Sequence, residues 1–350
     1  MKFLRPTLVL LSVLASYAQA QVTTTPVGFV TMSIAGNGGS GQPAYTFASL
    51  GLVNPTLLQS TITSFGTSTI TDSAATWLDN AYNSTTAGAL PTHFIEILSG
   101  SAAGNIIDIT ATSASSQTLT LNTNSVSLAS LGVTAGTSYA IRQHWTIASV
   151  FGTGASVTLQ GGSSTSADQV QLFRANAFVS YYYQTSGRGL TNAWVQSGNA
   201  NVDAGTTVIY PDDGILIVRN QSSNVSVTIS GSVKTGQTSI PVNSGYTLLG
   251  NVYATGMTLG TSNLYTGNAS TGVAGGSSTS ADQVMFWNGT AFVAYYYQTS
   301  GRGLLNTWVQ AGNANVDASS TPIPAGAALF IQRNGAAFSW VAPQFPASFN

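Results

Sequence analysis

Cysteine is absent from the 350 residues. That excludes disulfide staples, thiol nucleophiles and zinc–sulfur centres. Charge is scarce as well. Asp, Glu, Lys and Arg make up 5% of the chain, where about 25% is ordinary. Glutamate occurs once, at Glu96; lysine occurs at Lys2 and Lys234, and histidine at His93 and His144. Neither histidine sits in an HExxH or related metal spacing, no GxSxG elbow occurs, and a carboxylate pair would have to use aspartates. The chain therefore reads as a non-enzyme. Nucleic acid is excluded as a partner, because phosphate neutralisation needs clustered Lys and Arg. After the first 20 residues no apolar run has the length of a membrane helix, so the processed chain is not expected to span a bilayer.

The first 20 residues read as an export leader. Lys2 and Arg5 give a basic start, Leu8–Ala15 a short apolar core, and Ala18-Gln19-Ala20 a small-x-small exit. Cleavage would make Gln21 the new N-terminus and leave seven basic and ten acidic residues, a net charge of −3. The C-terminal residues show no sorting signal, so a secreted or surface-held protein is expected. Serine and threonine fill about a quarter of the chain, yet 43% is hydrophobic and 10% aromatic, which argues against disorder. A neutral, hydroxyl-rich surface steers charged partners weakly and repels its own copies weakly.

The strongest internal signal is duplication. Residues 161–220 and 275–334 align without a gap and share 39 of 60 positions. A fainter order of strands links FIEILSG (94–100) through SYAIRQ (138–143) to ILIVRNQ (215–221) through YTLLGN (246–251). The expected organisation is a signal peptide (1–20), a diverged N-terminal β unit (21–145), a middle repeat (146–255) and a truncated last repeat (256–350). Short Val-, Ile-, Thr-, Tyr- and Phe-rich runs are broken by Gly, Asn, Pro or Ser every 8–12 residues, and residues 225–229 alternate with a period of two. The fold class is all-β: tandem antiparallel sandwich or open-barrel units with at most one or two short helices, one of them expected at 72–82 behind Asp72.

Three sets of side chains stand out. Asp168, Arg188, Asp203 and Arg219 recur as Asp282, Arg302, Asp317 and Arg333, whereas Arg174 faces Asn288 and Asp212-Asp213 faces Gly326-Ala327. Two acids and two bases kept per copy suggest internal ion pairs. The recurring aromatics Tyr182, Trp194, Tyr296 and Trp308 are candidates for a flat surface that stacks on sugar or on protein, with core packing as the alternative. In GNANVDA, Asn199, Asn201 and Asp203, and again Asn313, Asn315 and Asp317, place oxygens at alternate positions. They resemble the opening of a calcium loop but lack its glycine and closing acid, so a weak calcium site competes with an Asn-rich turn and no other cofactor or metal is expected.

The series FGTG…ADQV…YYYQ…W…RN, doubled behind a leader, resembles a family of secreted, repeat-containing β-rich proteins of Verrucomicrobia-type bacteria. It covers most of the chain after the leader. The resemblance implies export and a β-rich fold, and it brings no activity to transfer. Members often end in an envelope-sorting tail, which is not seen at this C-terminus.

Together these features favour an extracellular structural protein. It would be a self-associating subunit of a surface filament, tube, sheath or layer, built by donation of a terminal strand. Residues 21–34 and 336–350 are the candidate strands, and Phe338 with Trp340 could instead close the last repeat internally. The competing reading is a secreted glycan-binding module or adhesin that uses the repeated aromatics, so the candidate partners are a second copy or an extracellular glycan.

Overall fold

The computed structural model describes residues 26–344; the expected leader lies outside them. The chain is all-β, with three large antiparallel sheets and four two-stranded ribbons. Its helices among these residues are Ile147–Phe151 and a 3₁₀ turn at Gly154–Ser156. The helix expected at 72–82 does not form. Asp72 is buried, accepts from Ala74 N (3.0 Å) and from the Tyr139 hydroxyl (2.7 Å), and so anchors a turn.

Each repeat is a two-layer sandwich. In the middle repeat a six-stranded sheet runs in the order Asn199–Asp203, Ala193–Gln196, Ala177–Gln184, Gln169–Arg174, Ile215–Arg219, Ala44–Ala48. A ribbon of Val27–Ile34 and Val225–Ser232 covers one face. Period-two alternation turns Val227 and Ile229 inward with Met32 and Ile34, onto Val170, Leu172, Tyr181 and Trp194. The last repeat has the same plan. Gly245–Gly250 takes the place of Ala44–Ala48, and the ribbon pairs Thr238–Val242 with Phe338–Ala342. Trp340 is fully buried in this ribbon and donates its Nε1 hydrogen to Ser262 O at 2.8 Å.

Strand pairing redraws the expected units. Val27–Ile34 and Ala44–Ala48 belong to the middle repeat, not to the N-terminal unit placed at 21–145. The seven-stranded sheet, with outer strands Thr56–Thr61 and Ser64–Phe65, is an insertion between Ala44–Ala48 and the ribbon strand Trp145–Thr146. It has its own core around Ile70, Ile95, Ile97, Leu119, Tyr139 and Ile141. The last repeat starts before Gly245 rather than at 256. It is not truncated, because Phe338–Ala342 supplies the closing strand. Both strands proposed for donation are thus paired inside the chain, apart from residues 21–25 and 345–350, which lie outside the described residues.

The two repeats meet across an approximate two-fold axis. Ala48 and Leu249 hold equivalent positions, opposite Ile215 and Leu329. Ala48 bridges Ala327, and Leu249 bridges Asp213, the counterpart of Ala327. Ser49 N donates to Gly326 O and Gly250 N to Asp212 O, both at 2.8 Å. Such reciprocity marks a self-complementary interface closed within one chain. Aromatic edges fill it: Phe47–Phe292 and Phe173–Phe330 have centroids 5.1 and 5.3 Å apart. No helix of the described residues is long and apolar enough to cross a membrane.

Candidate functional site

Of the charges kept in both copies, the structure pairs one acid with one base per repeat. Asp168, fully buried, meets Arg219 Nη1 and also accepts from Gln160 N (2.9 Å) and Asn220 N (3.0 Å). Asp282 does the same with Arg333, Ala274 N and Asn334 N. These carboxylates tie the turn before one strand to the end of a neighbouring strand. Replacing Asp282 by Asn should leave Arg333 with only carbonyl partners and cost about 2 kcal/mol. Asp168→Asn should cost a similar amount, measured by urea unfolding; a loss below about 0.5 kcal/mol would contradict it.

The other four kept charges do not pair. Arg188, Asp203, Arg302 and Asp317 are exposed, and none makes an ion pair among the described residues. Asp203 caps Gly205 N at 2.7 Å. Asp317 accepts from the Thr307 hydroxyl (2.6 Å) and Ser319 N (2.8 Å), and these bonds hold its carboxyl below the ordinary aspartate range.

The repeated aromatics are corrected to core and loop support. Tyr182, Trp194, Tyr296 and Trp308 are at most 3% exposed, so none presents a stacking surface. The strand alternates, and Tyr182 lies on the sheet face away from the ribbon. There its hydroxyl donates to Gln184, whose amide donates to the carbonyls of Arg188 (2.8 Å) and Leu190 (2.6 Å). Tyr296 and Gln298 repeat this, with Gln298 donating to Arg302 O at 2.7 Å. The Gly-Arg-Gly loop folds over that face, and Leu190 N reaches Ala200 O at 2.8 Å. Gly189 sits at φ +103°, and a Cβ there would lie 2.2 Å from Ala200 O. Only glycine fits.

The calcium candidates do not converge. Asn199–Asp203 and Asn313–Asp317 are extended strands. The first and third candidates of each strand stand about 13 Å apart, too far to share one ion at 2.3–2.6 Å. No group of three or more acidic or histidine ligands gathers among the described residues.

Two places combine exposure with chemistry. The first is the far end of each repeat. The strand Ala177–Gln184 begins at the two-fold junction, where Phe178 meets Phe330, and ends under the Gly-Arg-Gly loop, about 20 Å away. Five charged side chains are exposed among the described residues: Asp79, Arg188, Asp203, Arg302 and Asp317. Four of them recur between the repeats: an Arg in each Gly-Arg-Gly loop, Arg188 or Arg302, and an Asp closing each edge strand, Asp203 or Asp317. Beside them Leu190 and Val202 are 37% and 55% exposed in one copy, and Leu304 and Val316 41% and 56% in the other. Three ungapped identical runs, at 161–170, 181–190 and 198–204 in the middle copy, supply each face. A shallow depression of 330 Å³ lies beside Arg302, between Ser278 and Asn315.

The second place is the junction of the two repeats with the inserted sheet. Arg174 grips Asp213 with both arms of its guanidinium (2.7 and 2.5 Å). Burial and the neighbouring Asp213 push the Asp212 carboxyl up to about 7. Behind them Asp108 joins His144 Nε2 (2.9 Å) and the Tyr210 hydroxyl (3.0 Å). Burial, then Asp108, raises the Tyr210 hydroxyl above its usual range. Sequence reasoning passed over this group, because its acids are lost in the last copy and His144 lies in no motif. The acids and the histidine converge in a tightly bonded group. Asp213 is locked by Arg174, and His144 is 2% exposed with no hydrogen bond to its Nδ1. No family model, curated protein or solved structure matches this chain.

Proposed function

We propose that the chain is a secreted, non-catalytic structural protein that associates with its own copies through its two end faces. The observation that carries this reading is that four of the five exposed charges among the described residues recur in both repeats, Arg188 with Arg302 and Asp203 with Asp317. The same segments of each repeat also expose apolar side chains, Leu190 and Val202 or Leu304 and Val316. That composition suits a protein interface and is complementary to itself. Two such faces per chain, at the ends of an approximately two-fold pair, support growth in a row rather than a closed dimer. A low net charge leaves little repulsion between copies. Donation of a terminal strand plays no part in this version, since Val27–Ile34 and Phe338–Ala342 already have partners.

Sedimentation velocity of residues 21–350 over a wide concentration range tests it. The expected result is a series of growing species, weakened by added salt, with rows of subunits in negative-stain images. A single monomeric boundary at every concentration would remove the reading.

A further inference from the structure

We propose that the cleft where the two repeats meet the inserted sheet binds a neutral oligosaccharide. The cleft holds 810 Å³, within the range of small-molecule sites. Asn124 comes from the inserted sheet, Arg174, Asn176 and Asp212 from the middle repeat, and Asn243 and Tyr246 from the edge strand of the last repeat and the turn before it. Three chain segments distant in sequence therefore meet here, largely through turns that join β-strands.

The chemistry points to sugar. Tyr246 is 45% exposed and stands edge-on to Phe330 (6.3 Å, 89°), so its ring is braced while much of it meets solvent. An exposed, braced ring suits the apolar face of a pyranose. Among the described residues the amides of Asn124, Asn176 and Asn243 make no side-chain hydrogen bond, which leaves each able to donate and accept towards sugar hydroxyls. Gly245 sits at φ +84°, and a Cβ there would come within 3.3 Å of Asn176 Nδ2, so glycine leaves room for that amide.

Electrostatics select against acidic sugars. Arg174 spends its fork on Asp213, which also accepts from Tyr210 N at 2.7 Å. The guanidinium is thus compensated and offers little to an anion. Asp212 lines the cleft, and among the described residues no other side chain bonds its carboxyl. A carboxyl beside amides hydrogen-bonds vicinal hydroxyls, and the cleft offers a uronic acid no uncompensated cation. The cleft is also where the two copies were differentiated. Arg174, Asp212 and Asp213 stand opposite Asn288, Gly326 and Ala327, so this wall exists once per chain while the end faces exist twice.

Titration calorimetry of residues 21–350 with cellohexaose, maltohexaose, xylohexaose and chitohexaose, and with hexagalacturonic acid as the anionic comparison, tests the site. At least one neutral hexaose should bind with a Kd of about 1 mM or better, and the acidic one should not. Tyr246→Ala and Asn243→Ala, both on exposed side chains, should each weaken binding about tenfold at an unchanged melting temperature. Arg302→Ala, at an end face, should leave it unchanged. No neutral hexaose binding at about 10 mM, equal binding of the acidic one, or full affinity in both cleft variants would overturn the proposal.

Discussion

Replacing Glu96 by alanine should lower the stability of the chain by about 3–5 kcal/mol, the cost of stranding buried charge. Glu96 is 4% exposed and sits between two cations that are equally enclosed. Arg142 Nε meets Oε2 at 2.9 Å, and Lys234 Nζ meets Oε1. Arg142 also donates from Nη1 to Asn54 O at 2.8 Å, next to the point where the inserted sheet leaves the middle repeat. Lys234 lies between Val225–Ser232 and Thr238–Val242, in the segment that joins the two repeats. One carboxylate therefore ties the insertion to the hinge between the copies, and without it two cations stay buried with no anion. The triple change Glu96→Leu, Arg142→Leu and Lys234→Met removes all three charges and should be far milder, since apolar replacement of a buried network is often neutral. Urea unfolding measures both. A single variant within about 1 kcal/mol of the parent would show that water already screens the group.

The same site fixes a dependence on pH. Burial would raise the Glu96 carboxyl, but Lys234 and then Arg142 outweigh it and hold it below the ordinary range. Its folded value lies below an unfolded value of about 4.3, so its contribution is complete above that pH and fades as pH falls through the folded value. The stability gap between parent and Glu96→Ala should therefore be constant near neutrality and narrow below about pH 4.

Local pattern and long-range pairing were not equally legible in the sequence. The alternation at Val225, Val227 and Ile229 marked a half-buried strand, and its burial follows that period. Nothing local to that strand says that its partner is Val27–Ile34, about 200 residues earlier. An insertion as large as the seven-stranded sheet moves such partners apart without changing either one. Retention of Asp168 and Arg219 in both copies marked them as structural, and they do pair across 51 positions. The same retention at Arg188 and Asp203 meant the opposite, exposure, because identity between copies does not distinguish a core from a shared surface. The aromatics show the limit most clearly. Tyr182 sits in a conspicuous YYYQ run and is covered by the loop that Gln184 holds down. Tyr246 opens an ordinary YTLLG strand at a sheet edge, and only the arrangement of three chain segments brings it to a cleft.

Replacing the arginine at the end of each repeat by aspartate should weaken association sharply. In Arg188→Asp with Arg302→Asp, each face would meet its neighbour with two acids and no base. Like charges brought together cost several kcal/mol, and each 1.4 kcal/mol is tenfold, so self-association should weaken by at least about a hundredfold. Among the described residues the side chains of Arg188 and Arg302 make no bond; their carbonyls, which Gln184 and Gln298 hold, are untouched by the change. The variant should accordingly melt at the parent temperature. Asp203→Arg with Asp317→Arg gives the opposite surface and should be monomeric for the same reason. An equimolar mixture of the two variants pairs acidic faces with basic ones and should associate again, in alternation, with a steep loss in added salt. Recovery in the mixture separates an interface built from these faces from nonspecific adhesion of a neutral surface. If both variants assemble like the parent, the copies meet elsewhere. If the mixture stays monomeric while the parent assembles, the Arg and Asp groups do not face each other across the contact.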